Sequence, residues 1–339
     1  MSPHQVVILH NEPVLPAHHP DAVSENEVLE TVAAVDNALR GAGFEVGRLG
    51  VGRDPRLLLD GLTSLKPAVV FNLFEGLADQ GETEAHVAGL LDWLAIPYTG
   101  SSFQTLCLAR SKHLSKHLFH GAGLPTPRFS VVECLPIPPW RLEWPVIVKP
   151  AQHDGSVGLD QGSVVTDQAQ LDRRVLSLLG RYGPPVLLEE FIHGRELNVS
   201  LIELGDREEL RVLPVSEVLF LDKDPSYWPI VTYDAKWKPG SLEFEGTPAR
   251  CPADVSPQLT EQLGTLARSA FRLLGCRDYA RVDFRLFSSG TPYLLEVNPN
   301  PDLHPTAGLA RTVRSAGLTY EQFVVDLVRH ALARPRKPK

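Results

Sequence analysis

The tightest constraint in this chain is Arg281-Val282-Asp283-Phe284-Arg285, followed by Leu294-Leu295-Glu296-Val297-Asn298-Pro299-Asn300-Pro301. Ser288-Ser289-Gly290 supplies a turn between the two segments, so they read as paired strands. Side chains alternate faces along a strand. Arg281 and Asp283 therefore share one face, as do Glu296 and Asn298 on the neighbouring strand. Val282, Phe284, Leu295 and Val297 are expected on the opposite, apolar side. Two carboxylates and an amide oxygen on one face suit Mg²⁺, a hard cation that shares oxygen ligands with nucleotide phosphates. The competing reading is a surface hairpin carrying an ion pair. Against it stands the Glu-x-Asn-Pro-Asn-Pro turn directly after the strand.

Two further segments carry candidate chemistry. Val146-Ile147-Val148-Lys149-Pro150 reads as a strand with a lysine near its end, and Gly155-Ser156-Val157-Gly158 follows as a glycine loop. Lysine charge and approachable backbone N–H groups suit phosphate, although such loops are often plain turns. Val186-Leu187-Leu188-Glu189-Glu190-Phe191-Ile192 reads as a strand in which alternation turns one glutamate inward. That carboxylate could accept from an adenine amino group or from ribose hydroxyls. A solvent-facing pair at a strand end is the plainer alternative.

The rest of the chain sets the frame. Val6 to Leu9, Phe44 to Leu49 and Ala68 to Leu73 read as strands separated by helices, which implies a parallel sheet. A helix is expected from Ser24, with Glu27 completing a capping box. Further helices are expected over His86 to Leu94, Lys112 to His120, Gln168 to Leu179, Gln258 to Leu274 and Tyr320 to Leu332, with a short strand over Ile96 to Thr99. The fold class is α/β, passing to α+β in the C-terminal half. Its expected units are 1–101, 102–185 and 186–339.

The formal net charge of −8 argues against nucleic acid as a partner. The basic run from Arg334 to Lys339 reads as a solvated tail. No apolar run is long enough for a membrane helix, and the opening residues lack a secretory pattern. A cytoplasmic protein is therefore expected. Cys107, Cys134, Cys251 and Cys276 show no metal-site spacing and read as reduced, mostly buried thiols. His113 and His117 stand four apart on a helix with no third ligand evident.

Taken in order, Lys112, Lys149 with its glycine loop, Glu189-Glu190-Phe191-Ile192-x-Gly194-x-Glu196, Arg281-x-Asp283 and Glu296-x-Asn298 resemble the ATP-grasp superfamily. Phe71-Asn72-Leu73-Phe74-Glu75-Gly76, Ile96 to Ser101, Gly121 to Pro125 and Leu274-Gly275-Cys276 extend the resemblance to the D-alanine–D-alanine ligases over nearly the whole chain. The resemblance implies an ATP-grasp fold with an N-terminal Rossmann-like sheet and ATP as cofactor. Lys112 and Lys149 would contact phosphates, Glu189 to Ile192 the adenine, and Glu196 the ribose. Asp283, Glu296 and Asn298 would hold two Mg²⁺ ions, with Mn²⁺ as a substitute. Arg281, Lys236 and Ser156 take catalytic roles, and Lys236 reaches the γ-phosphate from the loop over residues 221–245. Carboxylate and amine substrates, amino acids above all, and a homodimer are the family expectation.

The departures fall at the substrate end. Gly155 stands where the family has the first of two serines, Trp237 where it has tyrosine, and Glu75 where it has histidine. Asn300-Pro301-Asp302 replaces Ser-Pro-Gly, and Ala307 a serine. With Glu27 and His304 these residues make the expected substrate set: Glu27, Glu75, Gly155, Trp237, Asp302 and His304. The added carboxylates suggest a cationic or carboxylate-free acceptor rather than two D-alanines. An ATP-binding regulatory protein that has lost ligation is the rival from another class.

Overall fold

In the computed structural model, residues 5–14, 22–77, 80–204, 210–221 and 226–334 are described, the side chains of 22–27 excepted. The first unit holds β1 (Gln5–Asn11), α1 (Ala22–Gly41), β2 (Glu45–Val51), α2 (Arg56–Leu65), β3 (Val69–Leu73) and α3 (Thr83–Trp93). The strands pair in the order β2-β1-β3, all parallel. Alternation along β1 sends Val6 and Ile8 to one core and Leu9 to another. The strand expected over Ile96 to Thr99 is reduced to one parallel bridge between Val70 and Tyr98. Helix α1 already runs from Ala22, so Ser24 lies within its first turn rather than at its cap. The Glu27 side chain lies outside the described residues.

The second unit contains α4 (Phe103–Arg110), α5 (Lys112–Gly121), β4 (Phe129–Val132), β5 (Val146–Pro150), β6 (Val164–Val165), α6 (Gln168–Tyr182) and β7 (Val186–Glu190). Its sheet runs β4-β7-β5-β6, and every pairing is antiparallel. Val146, Val148, Val186 and Leu188 pack with Leu171, Val175 and Leu178 of α6. A division after residue 185 would cut β7 from both of its partners, so the sheet places the break after Glu190.

The third unit comprises β8 (Gly194–Glu203), β9 (Leu210–Val212), β10 (Ser216–Val218), α7 (Tyr233–Trp237), α8 (Leu242–Gly246), β11 (Ala249–Arg250), α9 (Pro257–Leu274), β12 (Tyr279–Phe287), β13 (Pro292–Asn298), α10 (Gly308–Ser315) and α11 (Tyr320–Ala333). Its sheet is ordered β11-β10-β8-β12-β13, with β9 also on β8. Leu197, Val199, Val282, Phe284 and Val297 face Leu263, Ala267 and Phe271 of α9. Ser256 caps that helix, Pro257 opens it and Gly275 closes it at φ 69°.

The last helix returns to the first unit. Phe323, Leu327 and Val328 of α11 join Val32, Val35 and Leu39 of α1 in one core. Arg334, expected in a solvated tail, is instead held by Asp278: its Nη2 lies 2.7 and 2.8 Å from the two carboxylate oxygens. Asp278 is fully buried and also accepts from the Gly100 N–H at 2.6 Å. Burial raises the Asp278 pKa, and the Arg334 guanidinium works against that. Of the four cysteines, one alone, Cys276, is buried; none is disulfide-bonded.

Arg334→Ala leaves the Asp278 charge buried with less compensation. Chemical denaturation is expected to show a loss of about 3 kcal/mol.

Candidate active site

The site begins with register. Across β12 and β13, Arg281 stands opposite Asn298, and Asp283 opposite Glu296. On the other side of β12, strand β8 places Ser200 opposite Arg281, Asn198 opposite Asp283 and Glu196 opposite Arg285. Three strands thus present one polar face while their alternate residues fill the core under α9. Between Asp283 and Phe284 the register slips, a bulge at which β13 contributes an extra residue. Leu294 consequently takes the core position and is fully buried, whereas Leu295, expected in the core, lines the cavity.

Asp283 is the hub of this face. Arg281 donates to it through Nε at 2.7 Å and Nη2 at 2.8 Å. Asn198 Nδ2 donates at 2.8 Å, and Asn298 Nδ2 at 3.0 Å. These four donors match the four lone-pair sites of a carboxylate. Arg285 pairs with Glu196 at 2.9 Å and also donates to the Gly194 and Pro229 carbonyls. Burial opposes ionisation of Glu296, but Lys112, Lys149, Lys236 and Arg281 together hold its carboxyl well below the usual range. Lys112 lies 3.4 Å from Glu296 and also bonds Asp154.

Facing this hairpin is the inner side of the central sheet. Ile147 is opposite Glu189, and Lys149 opposite Leu187, so Lys149 and Glu189 share a face. Glu189 is fully buried between two ammonium groups: Lys116 is 2.5 Å from Oε1, and Lys149 engages Oε2. Those lysines hold its carboxyl low despite burial. Burial pushes the Lys116 ammonium down to about 8 against the pull of Glu189. Glu190 points the other way, to Arg128 at 2.5 Å. Alternation correctly turned one glutamate inward, and that glutamate is an ion-pair centre at the cavity wall.

A cavity of 220 Å³ lies between the two sheets. Lys112, Lys149, Glu189, Glu190, Phe191, Ile192, Glu196, Lys236, Arg281, Asp283 and Glu296 all line it, and Asn298 joins through its bond to Asp283. Two loops cover it. Trp237 Nε1–H donates to the Gly155 carbonyl at 2.9 Å, Ser156 Oγ–H to the Val231 carbonyl at 2.9 Å, and Tyr233 N–H to the Leu159 carbonyl at 2.9 Å. Gly155 adopts φ 65°, which suits its lack of a side chain. Lys236 sits on the exposed edge of α7. Crowding by surrounding protein, then the Arg281 charge, lowers its pKa.

A second cavity, of 850 Å³, adjoins the first through His153, Asp154, Gly155 and Val157. Glu75, Gly155 and Trp237, three of the residues expected at the substrate, line it. Asp302 and His304 line neither cavity. Asp302 accepts from the His304 N–H at 2.7 Å, and the His304 ring bonds Thr306 at 2.8 Å and lies 3.4 Å from Glu30. Their turn closes on itself beside α1, which the spacing from Asn298 did not reveal. His113 and His117 form no metal cluster; among the described residues no group of three or more His, Cys, Asp or Glu is placed to hold one.

Several site residues escaped the sequence reading. Asn198 follows Glu196 by two, so strand alternation could have found it. Lys116 and Arg285 share faces with Lys112 and Asp283. Glu84, which lines neither cavity, had no such signal: Asn300 Nδ2 donates to it at 2.7 Å, and Tyr279 OH donates to Asn300 Oδ1 at 3.1 Å. Burial pushes the Glu84 carboxyl up to about 7.

The model of the D-ala D-ala ligase C-terminus family matches residues 118–329. The D-alanine–D-alanine ligase of Bordetella avium is 31% identical over 319 residues, covering 93% of each chain. An uncharacterized protein of Sinorhizobium fredii, y4sG, is 37% identical over 257 residues, 76% of this chain and 72% of that one. The crystal structure of the Bacillus anthracis D-alanine–D-alanine ligase complexed with ATP superposes with a TM-score of 0.76 at 19% identity, covering 97% of both chains.

Two outcomes follow from the buried charges. Lys116→Met is expected to destabilise the fold by about 2–3 kcal/mol, because Glu189 keeps only one ammonium. Glu84 is held protonated to a higher pH when folded than when unfolded, so its contribution to stability falls as pH rises from about 4.5 to about 7. Glu84→Gln keeps the acceptor for Asn300 and is expected to remove on the order of 1 kcal/mol of that decline in stability measured against pH. With the polar hairpin, the lysine-bearing sheet and the two covering loops in one cleft, and with matches along most of its length, this chain belongs to the D-alanine–D-alanine ligase family of ATP-grasp ligases.

Proposed function

We propose that this chain is an ATP-dependent carboxylate–amine ligase that forms an amide bond, with Mg²⁺ held at the β12–β13 hairpin and a substrate pair other than two D-alanines. The observation that carries the reading is the single cavity onto which Lys112, Lys149, Lys236, Arg281, Asp283 and Glu296 all open. Glu296 and the Asn298 Oδ1 would offer oxygen donors to Mg²⁺ or Mn²⁺, and Asp283 would join them as the cation displaces the Asn198 and Asn298 amides from its carboxylate.

ATP supplies the phosphoryl group that activates the substrate carboxylate as an acyl phosphate. Ile147, Phe191, Ile192 and Ile230 give the cleft an apolar slot suited to a planar base, and Glu196 would meet the ribose from its pair with Arg285. Lys112, Lys149 and Lys236 offset phosphate charge. Arg281, held in plane by its two bonds to Asp283, aims positive charge at the oxyanion that forms when the amine attacks. The stitched glycine and α7 loops keep water from the activated carbonyl.

The substitutions at Gly155, Trp237 and Glu75 support altered substrates, since all three line the larger cavity. The test is phosphate release from Mg-ATP over pairs of amino acids and amines, with product mass read in parallel. Release that needs two substrates and yields an amide is expected. Release with no product, or none under any pair, would sink the ligase reading. Asp283→Asn is expected to lower kcat about 100-fold or more.

A further inference from the structure

The 850 Å³ cavity holds more than a ligase for two small amino acids requires, since pockets of roughly 300–1,000 Å³ take ligands of drug size. Its polar character is one-sided. Glu75, Glu82 and Asp154 line it, and among its described lining residues Arg110 is the single lysine or arginine. Asp154 is matched from both sides, by Lys112 and by Arg110 at 3.6 Å, so Glu82 rather than Asp154 is the carboxylate that would meet a cation. Tyr182, Tyr233 and Trp237 add aromatic walls, and aromatic faces attract cations.

An independent observation comes from the end of β1. Asn11 also lines this cavity. It is 6% exposed, and its Oδ1 has no hydrogen-bond partner. A buried carbonyl oxygen left without a donor is costly. A positively charged group rich in N–H bonds would satisfy it and also suit Glu82, which lines the same cavity. An ammonium does both.

Resting on the ligase reading above, we infer that one substrate carries a second, distal ammonium group, as a diamino acid or diamine does, and that Asn11 and Glu82 receive it in this cavity. A zwitterionic amino acid with an uncharged side chain brings no net charge to the acidic wall. A substrate with an extra ammonium brings one, and its chain length uses the room the cavity offers.

The experiment compares lysine and ornithine with norleucine and norvaline, their uncharged counterparts, in the Mg-ATP phosphate-release assay on the full chain. D- and L-forms are each paired with a panel of carboxylates. The expected result is a preference of at least tenfold in kcat/KM for the diamino acid. Glu82→Gln, an exposed position at the start of α3, is expected to reduce that preference several-fold, mainly through KM, and Asn11→Leu to reduce it further. Equal or better use of the uncharged counterparts overturns the inference while leaving the ligase reading intact. So does a preference indifferent to Glu82→Gln. If no pair releases phosphate, the ligase reading fails, and the inference is judged by calorimetric binding. Lysine or ornithine binding that Glu82→Gln weakens sustains the cation site; binding no tighter than that of norleucine overturns it.

Discussion

Everything at the reaction centre hangs on the four hydrogen bonds that converge on Asp283. They come from its own strand, from β8 and from β13, so they fix three strands against one another as well as one carboxylate in space. A carboxylate at this depth is tolerable because each of its lone pairs is matched. Arg281 gains rigidity from the same arrangement, since a guanidinium held by two parallel bonds loses little further freedom when it meets an anion. The apolar partners of these residues, Val282, Phe284 and Val297, lie under α9, so the polar face is as stiff as the core behind it.

The central sheet carries the complementary half of the chemistry. Glu189 holds Lys116 and Lys149 in place, and Asp154 and Glu296 do the same for Lys112. Lysines clustered this closely would repel one another without the intervening carboxylates. On the proposed function, an entering phosphate would exchange one set of negative partners for another, and the lysines would neither move far nor stand unpaired in the meantime.

Much of this was readable in the chain. Period-two alternation predicted which residues of β12 and β13 face the cavity, and the parallel first sheet followed from its alternation with helices. The bulge at Leu295 was not readable, because an extra residue in a strand leaves no mark in an apolar pair such as Leu294-Leu295. The turn holding Asp302 and His304 folds back on Thr306 and Glu30, a tertiary outcome that distance along the sequence cannot supply. Glu84 meets Asn300 across 216 residues, and nothing local announces such a contact. Arg334 looked like part of a charged tail because its partner, Asp278, is buried in another strand connection.

The return of α11 to the first core has a topological consequence. The first and third units are fastened by α1 against α11, and by Asp278 between Gly100 and Arg334. The central sheet is then an insertion, leaving the fastened body after α5 and rejoining it at β8. Besides those two crossings, the insertion is tied to the third unit by the loop bonds Trp237–Gly155, Ser156–Val231 and Tyr233–Leu159, so any swing about the crossings must part them. The β12–β13 hairpin and the β1 end of the larger cavity would then remain one fixed jaw, and residues 129–190 would be the jaw that swings.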